Sequence, residues 1–249
     1  MRISDVFKEY VRYLFAGRRA EAREILLSAH DRGLHASKLL KHVIWPAMVE
    51  VDKLYRADHI SRVQEHMATR INRMMADQMQ GYLARKPKSG RRMIVSCGDG
   101  DIEELGAQVI ADLFEAEGWS IWFLGSGVPN DEVLHLVGKV KPDVLCIYGA
   151  RPQGVPSIKK LIELIRSVGV CEDMQMLVAG GVFNRAEGLA DEVKADLFAA
   201  DIEEALKTVA EHPVRIPKPD VPEPGRRRKR KRKHSQAAAV RKAKMALGV

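Results

Sequence analysis

Four groups of residues have the types and spacing to do chemistry. The apolar run Met93-Ile-Val-Ser-Cys97 breaks into Gly98-Asp-Gly-Asp101 and then enters a helical pattern carrying Glu103, Glu104 and Gly106. A strand feeding a glycine turn and then a helix gathers backbone donors and a helix N-terminus outside the strand's carboxyl end, which suits a small ligand. Glu65 and His66 stand together near the start of another helix. There the imidazole could reach a metal or a planar ring while the carboxylate orients it, or both could simply face solvent. Gly180-Gly181 follows an apolar run and permits a tight turn beside a sheet, with or without a ligand. Arg226–Lys233 is an uninterrupted basic octet, suited to polyanions.

Several of these residues also have a plain structural reading. Asp101 is placed to cap the helix that follows, and Glu103 and Glu104 suit its positive end. Met74, Met75 and Met79 read as adaptable core rather than a cofactor box. Cys97, Cys146 and Cys171 are odd in number and widely spaced, as reduced core thiols would be, and fit neither a disulfide framework nor a zinc site. No 18-residue apolar run occurs, and the start, Met1-Arg-Ile-Ser-Asp5, lacks a signal-peptide core. The expectation is a soluble, cytoplasmic protein.

The charge is unevenly spread. From Arg226 onward there are eleven Lys/Arg and no Asp/Glu, so the formal +8 of the 249-residue chain leaves −3 on the rest. Pro213 to Gly225 holds five prolines in thirteen residues and reads as an extended linker. Residues 213–249 are therefore expected to be a Pro-rich linker and a disordered basic tail. With no aromatics for base stacking, the tail suits nonspecific nucleic acid or another polyanion better than sequence readout. A membrane-surface or localisation signal, or plain solubilisation, stays open.

Two patterns position the chemical groups. Residues 1–85 carry helical periodicity throughout. The first helix has Ile3, Val6, Phe7, Tyr10, Val11 and Leu14 on one face and ends at Gly17, and a second runs from Arg19 to His30 with Ala20, Ala22, Ile25 and Leu26 inward. Ser37 is expected to cap a third, kinked at Pro46, and Ser61 with Gln64 to cap the fourth. That is a four-helix bundle. Residues 86–92 are a polar hinge. Residues 93–212 alternate strands (93–97, 120–124, 143–148, 174–179 and, more weakly, 196–199) with helices, which predicts a flavodoxin-like, doubly wound five-stranded parallel sheet.

A bundle hinged to such a domain resembles the cobalamin-binding module of corrinoid methyl-carrier proteins, cobalamin-dependent methionine synthase and light-sensing cobalamin repressors. The likeness spans roughly residues 3–211. The family's Asp-x-His-x-x-Gly loop stands here as Asp101-Ile-Glu-Glu-Leu-Gly106, its Ser-x-Leu as Tyr148-Gly-Ala150, its Gly-Gly as Gly180-Gly181 and its Ala-Asp as Ala195-Asp196. In the bundle, Tyr55 followed nine residues later by Glu65-His66 is similar to the family's aromatic and Glu-His. The resemblance implies a corrinoid between bundle and crevice. In the family the loop histidine replaces the cofactor's own base below cobalt, and the displaced tail enters a groove kept open by small residues.

This chain departs at both places. Glu103 stands for the histidine and is a harder, weaker donor to cobalt, and Tyr148 stands for the groove serine. Two expectations stay open for Tyr148: a ring that fills the groove, or plain core with a satisfied hydroxyl. The expectation is a non-catalytic sensor or regulator that binds cobalamin or another tetrapyrrole, not in the base-off, histidine-ligated mode. Its expected contacts are Tyr55, Glu65, His66, Asp101, Glu103, Gly106, Tyr148, Gly180 and Gly181, with His66 the protein's metal ligand. Haem in place of cobalamin, a corrinoid methyl carrier and a ligand-free interaction scaffold are the alternatives. A homo-oligomer is compatible with all of them.

Overall fold

The computed structural model describes residues 2–98 and 104–216. Asp101, Glu103 and the basic octet lie outside the described residues, and so does the expected cap at Asp101. The first half is helical: α1 (Ile3–Phe15), α2 (Arg19–Asp31), α3 (Ala36–Leu39), a π-helical turn (Leu40–Ile44), α4 (Trp45–Arg56) and α5 (Arg62–Gln80). α3, the π turn and α4 form one continuous rod. Pro46 has no N–H to donate, and the backbone widens just before it, with the Trp45 N–H bonded to the Leu40 carbonyl.

The bundle closes on Val6, Tyr10, Leu14, Leu26, Leu40, Ile44, Met75 and Met79, all fully buried. A buried polar link runs from the Tyr10 hydroxyl to the Asn72 side chain at 2.9 Å, and Asn72 donates in turn to the Ile44 carbonyl at 3.0 Å. Ser61 and Gln64 make the reciprocal capping box that their spacing predicts. Two expectations fail here. The third helix is preceded by His35, with no side-chain cap, so Ser37 lies inside the first turn rather than capping it. Ala20 is exposed, because α2 turns Ala22, Leu26 and Ala29 inward.

The second half is five parallel strands: β1 (Arg92–Cys97), β2 (Ser120–Gly125), β3 (Val144–Tyr148), β4 (Gln175–Ala179) and β5 (Leu197–Ala199). They lie in the order β2-β1-β3-β4-β5, the flavodoxin-like arrangement. α6 (Leu105–Ala116), α7 (Asn130–Val140), α8 (Val155–Val168) and α11 (Ile202–Glu211) complete the windings. The winding between β4 and β5 is two short pieces rather than one helix, α9 (Gly181–Arg185) and α10 (Leu189–Glu192). β3 and β4 are buried on both faces, as apolar interior strands must be, whereas β2 at the edge is only partly covered.

α6 and α11 cover one face of the sheet, α7 and α8 the other, and the bundle packs outside α6 and α11. Bundle, α6 and the near face of the sheet share one apolar cluster, and residues through Arg215 form a compact unit. Asp196, of the Ala-Asp pair, sits at the opposite end of the sheet from the crevice. It accepts from the Met176 N–H at 2.8 Å, from Arg166, and from Arg215 at 2.9 Å. Arg215 also donates to the Glu172 carbonyl, so the first residues of the linker are docked.

Candidate functional site

In a 2-1-3-4-5 sheet the strand order reverses between β1 and β3, and a crevice opens at their carboxyl ends. Here Cys97 pairs with Tyr148 at that end. Tyr148 is 4% exposed, with its ring edge-on to Trp45 of α4 at 6.4 Å between centroids. The other side of the ring lies against Gly106 in α6. A Cβ on Gly106 would fall onto the Cζ and Oη atoms of Tyr148, far inside contact. Glycine at 106 is thus what lets the Tyr148 ring lie down at the switch point. Gly106 and Tyr148, each expected at the crevice, are in direct contact here.

The glycine pair closes the neighbouring wall. Gly180 has φ +108°, and a Cβ there would strike the Gly149 carbonyl oxygen. The close approach is held by the Gly149 N–H to the Ala179 carbonyl at 2.8 Å and the Val182 N–H to the Gly149 carbonyl at 3.1 Å. Above Gly149 lie Phe183 and Val182, each 2.9 Å from where a Cβ would stand. The space beside Gly181 holds the Arg185 guanidinium, 2.6 Å from such a Cβ. Arg185 donates to the Ala150 carbonyl at 2.7 Å and reaches Asp52 of α4 at 3.3 Å, while Asp52 also holds Arg56 at 2.9 Å.

The other wall of the crevice is braced from α5. Arg73 meets Glu104, the residue before α6, at 3.4 Å. The Glu104 carboxylate also accepts from the Ser126 N–H at 3.2 Å and from the Ser126 hydroxyl, in the loop after β2. Burial pushes the Glu104 pKa up, but the Ser126 donors and the Arg73 guanidinium outweigh it and leave the carboxyl below its ordinary value. One turn along both helices, Gln108 donates to Asp77. The stripe Asp77, Arg73, Thr69, Glu65 follows the i, i+4 row of α5. Thr69 and Glu65 therefore continue that row past the start of α6.

Tyr55, Glu65 and His66 are less closely gathered than the crevice residues. Tyr55 is half-buried in the last turn of α4. Glu65 accepts from the Thr69 hydroxyl at 3.1 Å, with its side chain 16% exposed. His66 is half exposed, with Nε2 3.6 Å from Glu65 and 3.5 Å from the Arg62 Nε. Among the described residues no three His, Cys, Asp or Glu side chains converge as a metal would require. No described helix is long and apolar enough to cross a membrane.

Two family models match the chain, each described as a B12 binding domain: one over residues 6–78, the helical part, the other over residues 91–210. The chain belongs to the B12-binding domain family. Dimethylamine corrinoid protein 1 of Methanosarcina acetivorans is 19% identical over 76% of this chain and 90% of its own length. The trimethylamine corrinoid protein of Methanosarcina barkeri is 22% identical over 76% and 87%. The HTH-type transcriptional repressor CarA of Myxococcus xanthus is 25% identical, but over 47% of this chain and 40% of the repressor. Among solved structures, the Methanosarcina barkeri monomethylamine corrinoid protein superposes with a TM-score of 0.75 at 20% identity, covering 84% of this chain and 99% of that one. At that identity the likeness establishes the fold.

Trp45, Asp52, Arg73, Ser126 and Arg185 were not singled out from sequence. Only Arg73 had a signal there, as a member of the polar i, i+4 row that begins at Glu65. The row's neighbour Asp112, on α6, carries a testable charge. Burial, with Asp77 and Glu115 nearby, pushes its pKa up to about 7 against a partial offset from Gln108 and Arg85. One of its carboxylate oxygens is buried without a partner. The folded-state pKa lies above the unfolded value, so stability is full below about pH 4 and lost as pH rises toward 7. Asp112→Asn is expected to remove that slope and to stabilise the protein at pH 8 by about 1–2 kcal/mol after allowing for solvent screening. Thermal unfolding of both proteins between pH 4 and 8 checks it.

Proposed function

We propose that this chain is a non-catalytic corrinoid-binding protein of the carrier architecture, holding its corrinoid between the amino end of α5 and the rim of the crevice. A cobalamin bound there would keep its own base, because the loop that carries Glu103 offers no histidine to replace it. The observation that carries this binding mode is the Tyr148 ring lying on Gly106 at the switch point, where a displaced tail would need room. Glu103 in place of the family's loop histidine supports it from the other side. The crevice thus does not fit a base-off, tail-inserted cobalamin.

Carrier is preferred to sensor because the likeness spans about nine-tenths of the dimethylamine corrinoid protein but 40% of the repressor. That reverses the order suggested by the sequence alone. A bound corrinoid supplies a cobalt centre able to take up and release an alkyl group. The chain's part would be to seat the ring and exclude water: Glu65 and Thr69 fix the lid row, and His66 would face the ring from the bundle side. Tyr55, half-buried in the last turn of α4, would complete the rim.

Hydroxocobalamin added to the purified full chain should co-elute on gel filtration with an altered visible spectrum, and His66→Ala should weaken binding several-fold. An unchanged spectrum with no co-elution removes the cofactor claim. It would leave a ligand-free interaction scaffold, the reading that the filled glycine notches also favour.

A further inference from the structure

We infer that this site recognises corrinoids independently of their nucleotide loop, so its ligand class includes cobinamides, which lack that loop, alongside complete cobalamins. The inference rests on the corrinoid-binding reading above. Four glycines line the crevice, and for each the space that a missing side chain leaves is already taken by the chain itself. Tyr148 fills the notch at Gly106; Phe183, Val182 and Ile158 fill that at Gly149; the Gly149 carbonyl fills that at Gly180; and Arg185 fills that at Gly181.

These fillers are not loose. Tyr148 is held edge-on by Trp45, Val182 and Phe183 are buried in the far-side core, and Ile158 is 1% exposed. Arg185 is fixed at both ends, on the Ala150 carbonyl and on Asp52 across the mouth. To admit a nucleotide, the Tyr148 ring must leave a closely packed apolar site, and packed interiors have few alternative arrangements. Arg185 must also give up both partners. A corrinoid seated on the rim avoids both costs, and its nucleotide then lies outside the crevice, contributing little to affinity. Tyr148 and Arg185 are thereby the residues that set specificity.

The test is a visible titration of the full chain with hydroxocobalamin and, separately, with aquocobinamide. Dissociation constants within about threefold of each other are expected, since affinity then owes little to the nucleotide. Cobalamin binding tenfold or more tighter overturns the inference while leaving corrinoid binding intact. Binding of neither removes the proposed function and this inference with it. Tyr148→Ser, checked for folding by circular dichroism, should raise the preference for cobalamin at least threefold. Tyr148→Phe, which keeps the ring, should leave the ratio unchanged. A folded Tyr148→Ser variant with the wild-type ratio overturns the assignment to Tyr148.

Discussion

Tyr148→Ala is expected to lower stability by about 3–5 kcal/mol, the range for losing a buried aromatic side chain. The ring is 4% exposed and lies between Trp45 of the bundle and Gly106 of α6, so its removal opens a cavity where the two halves of the compact unit meet. Gly106→Ala approaches the same contact from the other side and should cost about 1–3 kcal/mol by overpacking. The pair gives a sharper check than either change alone. If the glycine exists to admit the ring, the double variant should be more stable than the sum of the two losses, because the added methyl occupies space the ring has vacated. Urea unfolding of the four proteins measures this. Strict additivity would mean that the ring and the glycine are not matched to each other.

Gly180→Ala should be nearly as damaging for a different reason. The residue sits at φ +108° and ψ 167°, a region that essentially only glycine occupies, and its Cβ would meet the Gly149 carbonyl oxygen. Strain and clash together should cost about 3 kcal/mol or more. Gly188 is the control: its φ is +78°, but nothing lies within 4 Å of a Cβ there. Gly188→Ala should therefore cost only the left-handed penalty, about 1–2 kcal/mol. Equal losses at the two positions would show that backbone conformation alone, and not the close approach to Gly149, accounts for Gly180.

Much of this architecture was readable because it rests on local rules. The strand–helix alternation, the capping box at Ser61 and Gln64, and the turn glycines at 17 and 180 each follow from patterns within a few residues. The resemblance marked Tyr148 as a ring at the groove position and Gly106 as the loop's last glycine, but not that the two touch. Other features depend on contacts that no local pattern carries. Arg185 and Asp52 stand 133 positions apart, and neither differs by type from a solvated surface charge. The widened turn at Leu40–Ile44, which buries Leu40, Val43 and Ile44, stands where Pro46 by itself predicts only a kink. Ser37 looked like a cap by residue type, but the chain enters that helix at His35 and Ala36, two residues earlier than a Ser37 cap requires. Glu104 read as one of an acidic pair at a helix start. Its role as the brace between Arg73 and Ser126 depends on where the bundle docks.

The central claim is that the corrinoid keeps its own base below cobalt while the crevice stays filled. Electron paramagnetic resonance of the protein loaded with cobalamin and reduced to the cobalt(II) state tests it directly, using protein uniformly labelled with nitrogen-15 and unlabelled cofactor. Each cobalt line is expected to be split into a triplet by the cofactor's own nitrogen-14 base. A doublet, arising from a labelled protein nitrogen on cobalt, would contradict it.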